Sequence, residues 1–238
     1  MFLIGGGWDS AASWVVYGPF LKAAGGSPRI GCLIVDEGDG VEYFDRFDAV
    51  LRKVGDCTPV PLLVPIGERF EPEPVLDDID GLLVCGGLTP AYQEALAGER
   101  LPRLLAGRGI PYAGFSAGAA IAARDAVVGG WLSDGLPVCP EDSAEDLEEI
   151  EVRAGLGLVP FAVDVHAAQW GTLPRLIAAV ARRGIRHGVA IDENTVVEVG
   201  AEGRARVAGL GRAHCVRPSP EGGAVVRSYG AGEVFGSG

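Results

Sequence analysis

The sequence has few cysteines, and they are not arranged in a pattern that builds a scaffold. Its five cysteines are scattered along 238 residues, and no two of them form a CxxC pair. A disulfide framework or a structural zinc site is typically built from closely spaced, paired cysteines. Their absence argues against both classes and predicts reduced thiols in a cytoplasmic protein.

Long hydrophobic runs are also missing. No uncharged stretch reaches the ~18 residues that a membrane-spanning helix needs. The opening "MFLIGGGW" has no basic region, and its apolar run is too short for a signal peptide. We therefore predict neither a membrane span nor a secretory leader.

Positive charge is scarce: 20 Lys and Arg stand against 32 Asp and Glu, which gives a net charge of −12. This balance argues against nucleic acid or an anionic membrane surface as a partner. Much of the acidity lies in "EDSAEDLEEIE", residues 141–151. Such a run is typical of a solvated helix face or a mobile loop, and the alternative is a lid or docking surface for a cationic substrate.

The remaining sequence alternates short apolar runs with longer helix-compatible segments. We predict one α/β domain over residues 1–238, with a core over 1–199 and a β-rich extension over 200–238. The apolar runs are too uniform for one-sided antiparallel strands, so they predict a mostly parallel sheet with helices on both faces, a three-layer fold. The predicted strands are 1–6, 29–38, 59–67, 79–87 and 110–116, and the predicted helices are 11–24, 41–55, 89–109 and 117–127.

Three predicted strand ends are rich in glycine: residues 5–7, 86–87 and 114–118. Parallel strands point their carboxyl ends to one edge of a sheet, and ligands bind outside that edge. We therefore expect the chemistry of this protein along the edge that these three segments share.

The third of these segments, "GFSAG", matches the nucleophile elbow G-x-S-x-G, with a strand before it and a helix after it. A serine in so tight a turn needs neighbours with little or no side chain, which Gly114 and Gly118 provide. The pattern indicates that Ser116 is a nucleophile. The alternative is close packing where a helix crosses a strand.

A serine nucleophile needs a base, and the sequence has three histidines. His166 ends an apolar run, which predicts a position at a strand end on the same edge as Ser116. His187 follows a basic helix end, which it is predicted to cap. His214 lies in a late segment and is predicted to be structural or exposed.

The imidazole in turn needs a carboxylate to orient it. Asp192 and Asn194 suit the turn in "GVAIDENTVVEV", residues 188–199, and this leaves Glu193 without a turn role. Asp164 lies on the same strand as His166, too close in sequence to reach the ring easily. Asp134 has the weakest local support. On the residues alone the choice between Glu193 and an aspartate stays open.

Four blocks, taken in order, resemble the serine peptidases of family S51, which include dipeptidase E and the cyanophycinases. They are "GLLVCGG" at 81–87, "GFSAGAAI" at 114–121, "GLGLVPFAVDVHAAQWGTLPRL" at 155–176 and "GVAIDENTVVEV" at 188–199. The resemblance implies a fold like that of the class I glutamine amidotransferases, related in architecture to flavodoxin, with a serine in place of their cysteine. Cys85, the one cysteine near the predicted edge, is predicted to be a core residue.

The resemblance also implies roles for individual residues. Ser116 would be the nucleophile, His166 the base and Glu193 the orienting acid. The backbone amides of Gly87 and Ala117 would form the oxyanion hole. No metal or organic cofactor is implied. Asp134 matches an aspartate that has been considered for dipeptidase E, and it ranks below Glu193.

The chain departs from the cyanophycinases after the histidine, where Trp170 and Thr172 replace arginines that suit an aspartyl carboxylate. Gln169 and Arg175 remain. We predict that these four residues contact the substrate and that an acidic aspartyl substrate is disfavoured. Trp170 indicates an aromatic wall of the substrate site. The alternative interpretation is that Trp170 is a core residue on a helix face.

The function that we predict is hydrolysis of peptide or amide bonds in small substrates through an acyl-enzyme. One alternative is an esterase or acyltransferase with the same triad, and another is a catalytically silent binding module. A homodimer is compatible with the sequence, which does not fix the oligomeric state.

Overall fold

A computed structural model describes residues 1–73, 75–182, 184–200 and 203–236 of the chain. Residues 201–202 and 237–238, which belong to the predicted C-terminal extension, lie outside the described residues. The helices are α1 (Ser13–Ala24), α2 (Gly40–Val54), α3 (Thr89–Leu96), α4 (Arg100–Arg108), α5 (Ala117–Ile121) and α6 (Leu173–Arg182). The strands are β1 (Phe2–Ile4), β2 (Arg29–Asp36), β3 (Thr58–Pro65), β4 (Gly81–Val84), β5 (Tyr112–Phe115), β6 (Asp125–Gly129), β7 (Leu132–Ser133), β8 (Leu136–Pro137), β9 (Glu151–Ala154), β10 (Ala162–Val165), β11 (Gly188–Ile191), β12 (Thr195–Val199), β13 (Arg204–Gly209), β14 (Ala213–Pro218), β15 (Ala224–Tyr229) and β16 (Val234–Gly236).

The main sheet has eight strands in the order β16-β13-β12-β1-β5-β4-β2-β3. The five strands from β1 to β3 in this order run parallel, and β12, β13 and β16 add to the β1 side in antiparallel pairs. Strands β4 and β5 are buried along their whole length. Their uniform burial explains why they read as continuous apolar runs and not as alternating ones.

Helices cover both faces of this sheet, which confirms the predicted three-layer α/β fold. One face packs Phe20 of α1 and Phe47 of α2 against strand residues that include Cys85, which is fully buried as predicted. The other face packs residues of α3, α4 and α5, among them Tyr92 and Leu105. Because the carboxyl ends of β1, β4 and β5 point the same way, the glycine-rich segments after them meet at one edge of the sheet.

A second sheet of four strands, in the order β10-β11-β14-β15, lies beside the main one and packs against α6. The strand that leads to His166, β10, therefore belongs to this second sheet and not to the sheet that carries Ser116. The C-terminal strands divide between the two sheets, with β13 and β16 in the first and β14 and β15 in the second.

Two predicted helices are shorter than expected. The helix predicted over 89–109 breaks between α3 and α4, where Gly98 adopts a φ of 124° that lies outside helical geometry. The helix predicted over 117–127 ends at Ile121, because the Arg124 amide bonds the Val159 carbonyl and the chain continues as β6. Within the described ranges, no helix has the length and apolar character to cross a membrane.

Candidate active site

Ser116 lies in the sharp turn between β5 and α5. Its backbone has a φ of 52° and a ψ of −112°, a conformation that a non-glycine residue rarely adopts. A Cβ on Gly114 would overlap the Gly118 carbonyl, and a Cβ on Gly118 would overlap the Val84 carbonyl. The two glycines flanking the serine are thus a steric requirement of the turn, as the motif predicts.

The Ser116 hydroxyl begins a chain of hydrogen bonds that reaches a carboxylate. Its Oγ lies 2.8 Å from Nε2 of His166. On the other side of the imidazole, Nδ1 lies 2.8 Å from Oε1 of Glu193. The structure therefore brings together the three side chains that the sequence nominates, in the Ser–His–carboxylate order that suits nucleophilic catalysis.

These three residues come from different parts of the fold. Ser116 follows a strand of the main sheet, and His166 follows β10 of the second sheet. Glu193 lies in the short connection between β11 of the second sheet and β12 of the main sheet. The His166 amide bonds the Gly5 carbonyl at 3.0 Å, and the Asn194 amide bonds the Gly6 carbonyl at 2.7 Å, so the glycine segment after β1 joins the two sheets.

Gly6 also forms the seat of the imidazole. It has a φ of 100°, and a Cβ at this position would overlap Cε1 of His166. The sequence predicts that residues 5–7 lie at the sheet edge where the chemistry takes place, and the structure shows what these residues contact there. They supply backbone contacts that place the histidine, and no side chain fits there.

Burial lowers the pKa of His166 below its ordinary value, and the Glu193 carboxylate opposes this by stabilising the protonated ring. The His166 side chain is 7% exposed and that of Glu193 is 23% exposed. Because burial is the larger influence, the imidazole is neutral at pH 7. A neutral imidazole held against a hydroxyl can accept its proton.

The glycine pair after β4 lies beside the serine. A Cβ on Gly86 would come within 3.0 Å of the Ser116 Cβ, and the Tyr92 hydroxyl holds the Gly86 carbonyl at 2.6 Å. The amides of Gly87 and Ala117 donate to no other group in the described parts of the chain. Gly87 lines the cleft together with Ser116, and Ala117 is the residue that directly follows this serine. Helix α5 has only five residues, so its dipole stabilises negative charge near Ser116 less than the longer predicted helix would.

The four predicted substrate contacts have different positions. Trp170 lines the cleft and stacks on His166. The side-chain oxygen of Gln169 accepts a hydrogen bond from the Glu193 backbone amide at 2.9 Å and so helps to position Glu193. Thr172 is fully buried and bonds the Val165 carbonyl. Arg175 is buried and directs its guanidinium at Asp164 and the Ser143 carbonyl. Polar atoms of Thr172 and Arg175 are thus bonded to protein groups, and substrate contact by these two residues stays a prediction.

The other candidate carboxylates have partners of their own. Asp164 forms a two-pronged pair with Arg175 at 2.7 and 2.9 Å, and Asp134 pairs with Arg182. Asp192 accepts the Ala168 and Arg212 amides and so fixes the turn that carries Glu193. Glu193 is the carboxylate that contacts Nδ1 of the His166 ring.

The two remaining histidines lie away from the hydroxyl. His214 contacts the Ser228 hydroxyl at 2.7 Å and the Asp192 carboxylate at 3.3 Å, which agrees with a structural role. His187, predicted to cap a helix, packs against the rings of Phe161 and Phe235.

The cleft in front of Ser116 has a volume of about 840 Å³. The acidic run, predicted to be a solvated face or a mobile loop, forms one of its walls. The Ser143 carbonyl in this run accepts from Arg175, and the Glu145 carboxylate accepts the Thr89 amide at 2.8 Å. The acidic residues that line the cleft are Glu37, Glu141, Asp142, Glu145, Asp146, Glu148 and Glu193.

A further group of residues that line the cleft was not predicted from the sequence. This group contains Trp8, Tyr43 and Arg46, with the Arg46 guanidinium 4.7 Å from the centre of the Trp8 ring. Among the described residues that line the cleft, Arg46 is the one with a permanent positive charge. No group of three or more histidine, cysteine, aspartate or glutamate side chains suited to a metal ion occurs in the described residues.

The model of peptidase family S51 matches residues 35–207 of the chain. This span is more than half of the sequence and contains the serine, the histidine and the glutamate described above. The chain belongs to peptidase family S51.

Curated relatives include cyanophycinases. The cyanophycinase of Trichormus variabilis (strain ATCC 29413 / PCC 7937) is 33% identical over 141 residues, which cover 59% of this chain and 43% of that protein. The cyanophycinase of Synechococcus elongatus is 28% identical over 227 residues, covering 90% of this chain and 67% of that protein. The chain thus spans less than half the length of the first of these relatives.

A crystal structure of a Listeria monocytogenes EGD-e protein named for peptidase E has a similar fold. It superposes with a TM-score of 0.55 at 15% sequence identity, and the match covers 88% of this chain and 97% of that one. At this identity the likeness supports the fold, which agrees with the three-layer architecture predicted from the sequence.

Proposed function

We propose that the chain is a serine peptidase that hydrolyses peptide or amide bonds of small substrates through an acyl-enzyme. The observation that carries this proposal is the hydrogen-bonded series from Ser116 Oγ through the His166 ring to Glu193, with 2.8 Å at each step. The series opens onto a cleft, and membership of peptidase family S51 agrees with it.

In the first half of the reaction, Nε2 of His166 takes the proton of the Ser116 hydroxyl as Oγ bonds to the substrate carbonyl carbon. Glu193 holds Nδ1–H and stabilises the imidazolium that forms. The amides of Gly87 and Ala117 donate to the negative oxygen of the tetrahedral intermediate. Loss of one such donor costs about 2.7–4 kcal/mol of transition-state stabilisation.

In the second half, the intermediate collapses and the imidazolium gives its proton to the leaving amine, which leaves an ester between Ser116 and the acyl group. A water molecule then attacks this ester while His166 takes a proton from it. The same ring returns the proton to Ser116 Oγ as the acid product leaves. No step requires a metal ion or an organic cofactor.

The direct test compares the wild-type protein with Ser116→Ala. A fluorophosphonate probe is expected to label the wild-type protein and not the variant, and amide hydrolysis is expected to fall on the order of 10⁶-fold. Unchanged circular dichroism in the variant is the control for folding. Full hydrolysis by Ser116→Ala would refute the proposal, and an unlabelled wild-type protein would favour a silent binding module.

The same triad could serve an esterase or acyltransferase, and the fate of the acyl-enzyme distinguishes these reactions. Added hydroxylamine competes with water for the acyl group. We expect hydrolysis products to dominate at low hydroxylamine. Preferential transfer to an added amine or alcohol would assign an acyltransferase instead.

For the substrate, we propose a small peptide or amide that carries positive charge. The support is the excess of carboxylates around the cleft, with Arg46 as the opposing cation, because a cleft of one charge sign concentrates ligands of the other sign. Two dipeptide amides that differ only by lysine or glutamate provide the test. The lysine substrate is expected to have the lower KM, with an advantage that shrinks as salt is added.

A further inference from the structure

Trp170 lies flat against the imidazole of His166. The ring centroids are 3.8 Å apart, and the planes differ by 7°. The Trp170 amide bonds the His166 carbonyl at 2.8 Å, so one turn of backbone fixes the indole over the ring. Trp170 is 45% exposed, and a core-packing role does not explain a tryptophan at such a position.

The stack restrains a motion of the imidazole that its hydrogen bonds leave free. The bonds to Ser116 and Glu193 use the two ring nitrogens, whose lone pair and N–H lie in the ring plane. Gly6 approaches the ring at Cε1. The flat contact with the indole opposes tilting out of the plane, which would move Nε2 away from the Ser116 hydroxyl.

The stack also acts on charge. In the proposed reaction His166 becomes an imidazolium at the stage of the tetrahedral intermediate. A cation over the face of an indole is attracted by the ring quadrupole, whereas a neutral ring gains less. The indole therefore favours the charge state that is present when the intermediate forms.

We propose that Trp170 is a positioning residue that acts through His166, and that its stacking accelerates acylation of Ser116. This inference rests on the proposed function of the site. It differs from the expectation that Trp170 is only a wall for the substrate, because the contact that carries it is with the base.

The first test uses Trp170→Leu and Trp170→Phe. The readout is the rate constant for labelling of Ser116 by a small fluorophosphonate, a reagent without peptide groups that a wall could bind. We expect Trp170→Leu to lower this rate constant about 5- to 30-fold, the range that a cation–π contact implies, and Trp170→Phe to recover most of it. With a peptide substrate, kcat should fall by a similar factor while KM changes by less than about twofold.

A second readout is spectroscopic. A protonated imidazole quenches the fluorescence of an indole in contact with it, so the emission of the wild-type protein should drop as His166 is protonated. The midpoint should match the acid limb of the pH dependence of kcat/KM. The drop should disappear in Trp170→Phe and in His166→Gln. Trp14→Leu is the matched control, because Trp14 is 71% exposed and does not line the cleft, and this variant should keep the drop and the labelling rate.

The outcomes separate the two proposals. A wild-type labelling rate in Trp170→Leu, with KM raised, would overturn the inference and leave Trp170 as a substrate wall. Equal losses in the leucine and phenylalanine variants, with lower melting temperatures and no pH-dependent quenching in the wild-type protein, would also overturn it. Failure of the proposed function has a different signature, which is the absence of Ser116 labelling in the wild-type protein itself.

Discussion

Two buried ionisable residues at the end of β10, Asp164 and His166, are two positions apart and have different partners. Asp164 is 1% exposed and forms a two-pronged pair with Arg175, itself 4% exposed. His166 faces the cleft and contacts Glu193, which is partly exposed. One strand end thus holds a buried ion pair and, beside it, the predicted base.

The pair of Asp164 with Arg175 and the pair of His166 with Glu193 differ in whether a proton can be exchanged. A guanidinium stays protonated at every accessible pH, so Arg175 and Asp164 can support the fold but cannot exchange a proton. Arg175 also donates to the Ser143 carbonyl and so holds the acidic wall. Burial lowers the pKa of His166, which keeps the ring neutral and ready to accept a proton. The comparison predicts that damage to one pair affects activity and damage to the other affects stability.

The largest effect on activity within this comparison is expected from Glu193→Gln, with kcat lower by about 10⁴-fold, because the imidazole loses its orienting acceptor. The free energy of unfolding should change by less than about 1.5 kcal/mol. Glu193 raises the pKa of His166, so its removal lowers that pKa further. The acid limb of kcat/KM should therefore move to lower pH, and a pH–rate profile measures this. A shift to higher pH, or a loss of less than tenfold in kcat, would contradict the assignment of Glu193.

The opposite pattern is expected from Asp164→Asn. It leaves the Arg175 charge buried without its counterion, which should lower the free energy of unfolding by about 3–5 kcal/mol. The kcat of the folded protein should change only a few-fold. Urea unfolding measures the free energy of unfolding, and active-site titration corrects kcat for the fraction of inactive protein. The double variant with Arg175→Met removes both charges and should regain part of the lost stability, whereas equal stability of the single variant and the wild type would refute the buried-pair account.

An intermediate effect is expected at the seat of the imidazole. Gly6→Ala places a methyl group where Cε1 of His166 lies, and a displaced ring should lower kcat/KM by about 10²-fold. Gly26→Ala is the control, because a Cβ there meets no atom within 4 Å. Steady-state kinetics of both variants give the comparison. An active Gly6→Ala protein would mean that the ring does not depend on this seat.

The smallest effect is expected on the acidic wall. Asp146→Asn should raise KM for a lysine-containing dipeptide amide about two- to fivefold at low salt and leave a neutral analogue unchanged. Glu99→Gln makes the same charge change outside the cleft, where Glu99 pairs with Arg103 on the surface, and serves as the control. Equal KM changes in the two variants would remove the wall from substrate selection.

The sequence made the elbow predictable because its requirement is local. Gly114 and Gly118 are needed by the backbone around Ser116, and that need shows directly in five letters of sequence. The parallel core was predictable for a similar reason, since strands buried on both faces must be continuously apolar. Glu193 followed from elimination of turn residues together with the resemblance to family S51.

Other features depend on partners that are distant in sequence. The sequence of β10 predicts another buried strand, but it does not show that this strand pairs with β11 of the second sheet and not with β5 of the main sheet. Arg175 reads as a candidate for binding a carboxylate, which it does, but the carboxylate is that of Asp164 within the chain. The acidic run reads as solvated because the contacts that bring it to the cleft, from Arg175 and Thr89, are made by residues outside it.

The proposed triad is divided between two sheets, so its arrangement depends on the interface between them. The hydroxyl is carried by one sheet, the imidazole by the other, and the carboxylate by the connection that ties them. The 2.8 Å separation of Oγ and Nε2 therefore reports how closely the sheets are docked. On heating, loosening of that docking is expected to abolish activity before either sheet melts, so that loss of turnover should precede loss of ellipticity.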